Sequence, residues 1–303
     1  MSIKRPLPPA AWVIDRDDPA FPRSLSEDPK PPVRIFGVGD AELLADGRAR
    51  VGMVGARRCT SYGRDIARRF GRELSAAGVS VVSGLALGVD GAAHEGALQA
   101  IGGAPPIGVV ASGLDVVYPN AHLRLWDSVA ELGCLISEAA FGTIPDSWRF
   151  PERNRIIAAL SDIIVVVEAH PASGTRHTVD AAIARGVPVM AVPGPVGSSA
   201  SEGANQLLRE GCAPVCEIDD VLTALGLERC AAEQYVDPRQ PPEPGDDQIL
   251  AALDWAPTGL DTLLRRTGLG PGQITAALYR LLAAGWARCT DGWWERIAAP
   301  GAP

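Results

Sequence analysis

The loop Gly55-Ala-Arg-Arg-Cys-Thr60 holds the first residues that could do chemistry. A dinucleotide-binding loop at this place would need glycine at positions 57 and 60, because the backbone must come close to a pyrophosphate. This chain has Arg57 and Thr60 there, so a side-chain cation replaces the close backbone approach. The loop follows a short apolar strand and opens a helix, whose N-terminus favours phosphate. Arg57 is therefore a candidate phosphate contact.

A second loop, Ser83-Gly-Leu-Ala-Leu-Gly88, joins the next strand to the next helix. Its small residues leave backbone amides free to face a ligand, and Asp90 can cap the helix that follows. Asp90 and His94 lie on the same side of that helix, and we interpret them as a local structural hydrogen bond. The loop after the third strand, which begins at Ser112, lacks the Gly-Lys-Ser/Thr ending of a P-loop.

The segment Phe150-Pro-Glu-Arg-Asn-Arg155 places an aromatic ring beside two arginines. Surfaces of this kind bind single-stranded nucleic acids, because bases stack on a ring while cations follow the phosphates. A lone phenylalanine is more often a core residue, but the arginines beside Phe150 favour a stacking role. Glu168 ends a later apolar strand and could serve as an acid, although no catalytic partner is evident.

The net charge of −8 is the main observation against nucleic-acid binding. Binding depends on where the positive charges lie rather than on their sum. Between Arg48 and Glu73 there are eight arginines against two acidic residues. The six cysteines form no C-x-x-C pair and only four histidines are present, so the sequence predicts buried free thiols, no metal ion and no other cofactor.

Short β-branched runs alternate with amphipathic helical stretches from Val51 to about Leu227. The strands are apolar throughout, which is typical of a parallel sheet covered by helices on both faces. Their alternation with helices predicts a Rossmann-like, doubly wound α/β domain. Strands are predicted at residues 51–54, 79–83, 107–111, 134–137, 163–167 and 187–192, and helices at residues 63–77, 90–100 and 120–132.

Proline-rich segments divide the chain. Residues 1–46 have an irregular pattern, and we interpret them as an N-terminal extension of the Rossmann-like domain at residues 47–227. Residues 228–246 contain four prolines and are typical of a linker. Residues 247–297 contain three helical segments and then two strands around Asp291-Gly292, which suits a tight turn. Three helices followed by a hairpin predict a C-terminal winged-helix domain.

Eight ordered motifs between Val54 and Asn205 resemble the DprA (Smf) family of DNA-processing proteins, and the resemblance covers about residues 20–227. Their number and order make the resemblance far more specific than any single motif. The motifs are Val54-Gly-Ala-Arg57, Ser83-Gly-Leu-Ala-Leu-Gly-Val-Asp90 with Ala93-His94, Ser112-Gly-Leu-Asp-Val-Val-Tyr-Pro119, Phe150-Pro-Glu-Arg-Asn-Arg-Ile156, Val167-Glu-Ala169, Ser173-Gly174 with Thr178, Val192-Pro-Gly194 and Gly203-Ala-Asn205.

The resemblance implies binding of single-stranded DNA, its protection from nucleases, and loading of RecA recombinase onto it during natural transformation. It also implies a homodimer without catalytic activity. At Ser83, Gly84 and Gly88 the implied contacts come from backbone amides. The positions that match the family's DNA-contacting residues are Arg57, Ser83, Gly84, Gly88, Phe150, Arg153 and Asn154.

Two other functions stay open at this point. A Rossmann-like nucleotide-binding phosphoribohydrolase or nucleotide sensor has a similar sheet and a Pro-Gly-Gly-x-Gly-Thr-x-x-Glu signature, but Thr178 stands here in place of the glutamate. A transcription regulator would read duplex DNA with the winged helix. The predicted recognition helix, residues 273–284, carries a single cation, Arg280, so we interpret this domain as a partner or self-association module.

The N-terminal residues show no apolar core of the kind found in secretory signals. The longest apolar stretch, residues 156–169, is interrupted by Ser161 and Asp162 and is too short to span a bilayer. We therefore expect a cytoplasmic protein that does not act with a membrane.

Overall fold

The computed structural model describes residues 2–6, 10–171, 173–228, 239–254 and 257–297. The chain divides into two units, residues 1–232 and 233–303. Residues 229–238, which make up most of the predicted linker at residues 228–246, lie outside the described residues. No helix among the described residues is long and apolar enough to cross a membrane.

Strands of the first unit form the framework that positions its loops. In chain order they are β1 (Ile3–Lys4), β2 (Ala11–Asp15), β3 (Arg34–Gly39), β4 (Arg50–Val54), β5 (Ser80–Ser83), β6 (Ile107–Val109), β7 (Val116–Val117), β8 (Cys134–Ser137), β9 (Ile163–Val166), β10 (Val189–Ala191) and β11 (Ala213–Pro214). Within the described residues, nine of them form one sheet with the order β11-β10-β9-β4-β5-β6-β8-β3-β2. The strands from β11 to β8 run parallel.

Helices cover both faces of this sheet. They are α1 (Arg23–Ser26), α2 (Ser61–Ala76), α3 (Val89–Gln99), α4 (Leu123–Leu132), α5 (Arg149–Leu160), α6 (Thr175–Ile183), α7 (Glu202–Arg209) and α8 (Ile218–Ala224), with short 3-10 helices at Ala41–Leu44 and Asn120–His122. Met53 and Val54 are consecutive in β4 and point into separate buried clusters, because side chains alternate along a strand. The predicted Rossmann-like α/β class is confirmed.

The interpretation of residues 1–46 as irregular is wrong. Strands β2 and β3 lie in this segment. They pair antiparallel with each other, and β3 pairs antiparallel with β8, so the sheet is mixed. Ile14 and Ile35 are buried, and the Trp12 ring covers Gly37 while its Nε1 donates to the Gly39 carbonyl at 2.8 Å. The domain boundaries at residues 46 and 227 stay a prediction.

Helix α5 has no counterpart among the predicted elements. Its first turn contains Pro151, which needs no hydrogen-bond partner for its nitrogen there. Ile156, Ile157 and Leu160 are buried against the sheet. A proline in the first turn is a regular feature of a helix start. The helix carries Phe150, and its position decides the geometry of the site.

The second unit has its own apolar core. It contains α9 (Asp246–Ala252), α10 (Leu260–Thr267), α11 (Pro271–Ala283), β12 (Ala287–Thr290) and β13 (Trp293–Arg296). The two strands form an antiparallel hairpin, and Asp291 and Gly292 in its turn both have positive φ. Leu263, Ile274 and Trp294 pack together in the core. The predicted winged-helix order of three helices and a hairpin is confirmed.

The expectation of buried thiols holds for Cys134 but is wrong for Cys216 and Cys289, which are exposed. Cys59 and Cys212 are partly buried, and Cys230 lies outside the described residues. Burial raises the pKa of the Cys59 thiol, so this neighbour of the Arg57 loop is not activated as a nucleophile.

Candidate nucleic-acid interface

The strand order places a crevice between β4 and β9. Strands β5 and β6 lie on one side of β4, and β9 and β10 lie on the other, so the connections diverge at this point. Ligands of open α/β sheets bind outside the carboxyl ends of the strands at such a point. A crevice of about 720 Å³ opens there, and its walls include Arg57, Arg58, Phe150 and Asn154.

A buried carboxylate shapes the loop that carries Arg57. Glu168 follows β9, and its carbonyl accepts a hydrogen bond from the Ala56 N–H at 2.7 Å. Its carboxylate accepts from the Thr60 N–H at 2.8 Å and from the Thr60 hydroxyl at 2.5 Å. Thr60 in turn caps α2, since its hydroxyl accepts from the Gly63 N–H at 3.1 Å. The loop between these anchors presents Arg57 and Arg58 to solvent.

Arg57 lies over the ring of Phe150. The guanidinium carbon is 4.6 Å from the ring centroid, which is the geometry of a cation–π contact. The Tyr118 ring also contacts Phe150, with the centroids 5.7 Å apart and the planes tilted by 46°. Phe150 is half-buried and Arg57 is exposed. The structure thus brings together an arginine side chain and an aromatic ring that are far apart in the sequence.

Arg153 is buried in the wall of the crevice rather than extended into it. It is 5% exposed, and its Nη1 donates to the Gly84 carbonyl at 2.6 Å and to the Val109 carbonyl. Its Nε donates to the Asn154 side-chain oxygen at 3.1 Å, and the Asn154 amide donates to the Gly174 carbonyl at 3.3 Å. Burial lowers the pKa of Arg153 to about 10, which leaves it charged at neutral pH.

Only glycine fits at position 84, because the Arg153 guanidinium occupies the space that a side chain would need. A Cβ at position 84 would lie 2.5 Å from the Arg153 guanidinium. The Gly84 N–H donates to the Asp90 carboxylate at 3.1 Å, and the Ser83 hydroxyl donates to the Met53 carbonyl at 2.5 Å. These two residues therefore hold the wall from within the protein. Burial raises the pKa of Asp90, and the nearby Arg153 opposes that effect.

Gly88 supports the Arg57 loop from behind. Its φ of +84° lies in the region that favours glycine, and a Cβ there would lie 2.2 Å from the Ala56 carbonyl oxygen. The expected structural role of Asp90 is present, but its partner is the Gly84 amide rather than His94. Both ring nitrogens of His94 are buried, and neither has a hydrogen-bond partner at normal distance in the part of the chain that the structure describes.

The crevice therefore joins four of the seven predicted site residues, namely Arg57, Phe150, Arg153 and Asn154. Gly84 lines a smaller adjoining cavity of about 50 Å³, together with Tyr118. The anchor formed by Thr60 and Glu168 was not predicted. A threonine three residues before Gly63, at the start of an amphipathic helix, is the N-cap signal that could have identified it.

A family description for "DNA recombination-mediator protein A" (DprA) matches residues 12–226. The chain belongs to the DprA family. A second description, "DprA winged helix domain", matches residues 231–292. Both units of this DprA-family chain therefore correspond to known parts of the family, in the same order along the sequence.

Named DprA relatives match most of the chain. Protein Smf of Escherichia coli is 33% identical over an alignment of 299 positions, which covers 95% of this chain and 78% of that protein. The DNA processing protein DprA of Bacillus subtilis is 36% identical over 218 residues, which are 72% of this chain and 71% of that protein. The DprA assignment thus covers the sequence well beyond a single motif.

Solved DprA structures share the fold. DprA of Streptococcus pneumoniae gives a TM-score of 0.66 at 36% identity, over 74% of this chain and 75% of that one. DprA of Helicobacter pylori gives 0.64 at 29% identity, over 71% of this chain and 95% of that one. The Helicobacter pylori structure is described as showing a unique single-stranded DNA binding mode of that protein.

Proposed function

We propose that this protein binds single-stranded DNA in the crevice at the carboxyl edge of its sheet. The observation that carries the proposal is the Arg57 guanidinium 4.6 Å from the centroid of the Phe150 ring, at the wall of a crevice of about 720 Å³. Single strands need a ring for the base and a cation for the phosphate beside it. Membership in the DprA family and the description of the Helicobacter pylori relative support the same ligand.

The exposed and half-buried residues would make the direct contacts. Arg57 would hold a phosphate through its planar fork of N–H donors, with Arg58 next to it on the same loop. Phe150 would stack on a base, and the neighbouring Tyr118 ring would help to hold it in place. Asn154 would offer a polar group at the crevice wall. None of these contacts depends on the identity of the base, so little sequence preference is expected.

The buried residues would act indirectly. The hydrogen bonds of Arg153 go to the Gly84 and Val109 carbonyls and to Asn154, so we assign it the role of positioning the wall and of adding positive charge behind it. Ser83, Gly84 and Gly88 would keep the two loops in place. The expected DNA contacts from their backbone amides are thereby replaced, for Gly84, by its hydrogen bond to Asp90.

Binding of this kind would serve DNA recombination. We propose that the protein protects single strands from nucleases and loads RecA recombinase onto them, as a cytoplasmic homodimer, during natural transformation or related DNA processing. Support comes from the family assignment of both units. We propose no catalytic role, because the Glu168 carboxylate is 2% exposed and both of its oxygens accept from Thr60.

The test compares a single-stranded oligonucleotide with the blunt duplex of the same sequence at physiological salt, by fluorescence anisotropy. Tighter binding of the single strand is expected. Equal affinity for both forms would contradict the proposal.

Two further measurements test the partners. RecA filament formation on the same oligonucleotide should be faster with the protein present, and sedimentation equilibrium should give twice the mass of the chain. Incubation with nucleoside monophosphates should release no base. Base release detected by chromatography would instead support a phosphoribohydrolase.

A further inference from the structure

The loop before α5 presents a second aromatic ring beside a second arginine. Trp148 is 55% exposed, although tryptophan is on average a highly buried residue. The guanidinium carbon of Arg149 lies 4.3 Å from the centroid of the Trp148 ring. Arg57 lies over Phe150 in a similar way, and Phe150 is only two residues after Trp148 in the chain.

Trp148 lines neither cavity itself, but its neighbours in the chain do. Pro145 lines the smaller cavity beside Phe150, and Ser147 and Phe150 both line the larger crevice. Trp148 therefore belongs to the segment 145–150, which forms part of the wall of the site. Among the described residues, it joins none of the apolar clusters of the first unit. Core packing therefore does not account for a tryptophan at this position.

Hydrogen bonds fix the backbone turn that carries this ring. Trp148 is the residue immediately before α5 and already has helical φ and ψ. The Arg149 N–H donates to the Asp146 carbonyl at 3.1 Å, and the Ser147 N–H donates to the Asp146 carboxylate at 2.6 Å. The turn is thus fixed by its own hydrogen bonds, so its backbone loses little entropy when a base stacks on the ring.

We propose that Trp148, with Arg149, is a second base-stacking platform that extends the single-stranded DNA site beyond Phe150. The inference rests on the proposed function, since it concerns the same ligand. Its occupant is a nucleobase, because an exposed ring with a guanidinium beside it provides both a π-face and a neighbouring charge for the phosphate. A longer strand would engage both rings, whereas the shortest oligonucleotides would engage Phe150 alone.

The test measures the affinity of the full chain for oligothymidylates of increasing length. Trp148→Ala should weaken binding of the long oligonucleotides by about 5- to 100-fold and leave the shortest ones unchanged. Trp148→Phe should restore most of the affinity, because it keeps a ring. Ile144→Ala is the matched control: Ile144 is 69% exposed in the same loop, and its removal takes away apolar surface without a ring.

A second readout reports the contact directly. Oligonucleotides that contain 5-iodouridine should form a photo-cross-link to Trp148, which mass spectrometry would locate in the wild type. An unchanged thermal midpoint should show that Trp148→Ala is folded.

The proposed Trp148 platform is contradicted if Trp148→Ala binds oligothymidylates of every length as tightly as the wild type while Arg57→Glu loses binding. In that case the proposed function still stands. A wild type that binds no oligothymidylate overturns both.

Discussion

Glu168 and Thr60 form a two-point contact beneath the Arg57 loop. One carboxylate oxygen accepts from the Thr60 N–H at 2.8 Å, and the other accepts from the Thr60 hydroxyl at 2.5 Å. The Glu168 carbonyl also accepts from the Ala56 N–H at 2.7 Å. One buried residue thus holds both ends of the loop, and the Arg57 side chain extends between these two anchors.

Glu168→Gln should weaken single-stranded DNA binding and lower the free energy of unfolding by about 1–3 kcal/mol. The amide that replaces the carboxylate accepts with only one atom, so one of the two hydrogen bonds to Thr60 is lost. Anisotropy and urea denaturation measure the two effects. Thr60→Ser keeps the hydroxyl and the N–H and should behave as the wild type. A Glu168→Gln protein with unchanged affinity would show that the anchor does not set the loop.

Arg57→Ala should weaken binding on all sequences alike, and Arg57→Glu should abolish most of it. Each lost phosphate contact on a single strand should flatten the slope of log affinity against log salt by about 0.7. Arg57→Lys should recover only part of the affinity, because a point charge replaces a fork.

A salt titration on one oligonucleotide measures these differences, with circular dichroism as a check of folding. Arg48→Ala is the matched control, since Arg48 precedes β4 and lies at the opposite edge of the sheet. An Arg57→Ala protein with wild-type affinity and salt slope would remove this loop from the DNA site.

Phe150→Ala should weaken binding of single strands by about 1–3 kcal/mol if the ring stacks on a base. The half-buried ring contacts Tyr118 and Arg57, so its loss should change the thermal midpoint only slightly. Phe150→Trp should retain binding because it keeps a π-face. Anisotropy and thermal denaturation separate the two roles, and a large fall in the midpoint would identify Phe150 as a core residue.

Removal of residues 245–303 should leave a first unit that folds and binds single-stranded DNA. That unit has its own apolar clusters, and the crevice is built entirely from its residues. Circular dichroism and anisotropy of the truncated protein check this. A soluble, folded fragment that no longer binds would assign part of the site to the winged-helix domain.

The stability of the protein should fall in mild acid because of His94. Burial lowers the pKa of His94 to about 4, from an ordinary value of 6.5. Below pH 6.5 the unfolded chain therefore binds a proton that the folded protein does not. The contribution of His94 is complete above about pH 6.5 and decreases until the pH reaches about 4, by about 3 kcal/mol in all.

Asp90 works in the opposite direction, because burial raises its pKa and its protonation favours the folded state. Comparison of the wild type with His94→Leu isolates the histidine. Urea denaturation across this pH range should give a shallower dependence of unfolding free energy on pH for His94→Leu. The same slope in both proteins would contradict the prediction.

Local sequence patterns determined many of the helices, strands and turns of this protein. Apolar runs such as residues 163–166 and the glycine at position 88 have a short-range cause, namely burial on both faces and a positive φ that favours glycine. The three helices and the hairpin of residues 246–296 followed from the same signals. The ordered motifs also led from the sequence to the DprA family, which the comparisons confirm.

Tertiary structure decided what these elements contact. Strand β3 joins the sheet through β8, a partner far along the chain, and no local pattern names that partner. Arg153 looked like a DNA contact in sequence, yet the space left by Gly84 lets it turn inward to two carbonyls. Phe150 meets Arg57 only because α5 packs beside β4. The periodicity of apolar residues indicates which face of a helix or strand is buried. Which residues pack against that face depends on the long-range contacts of the fold.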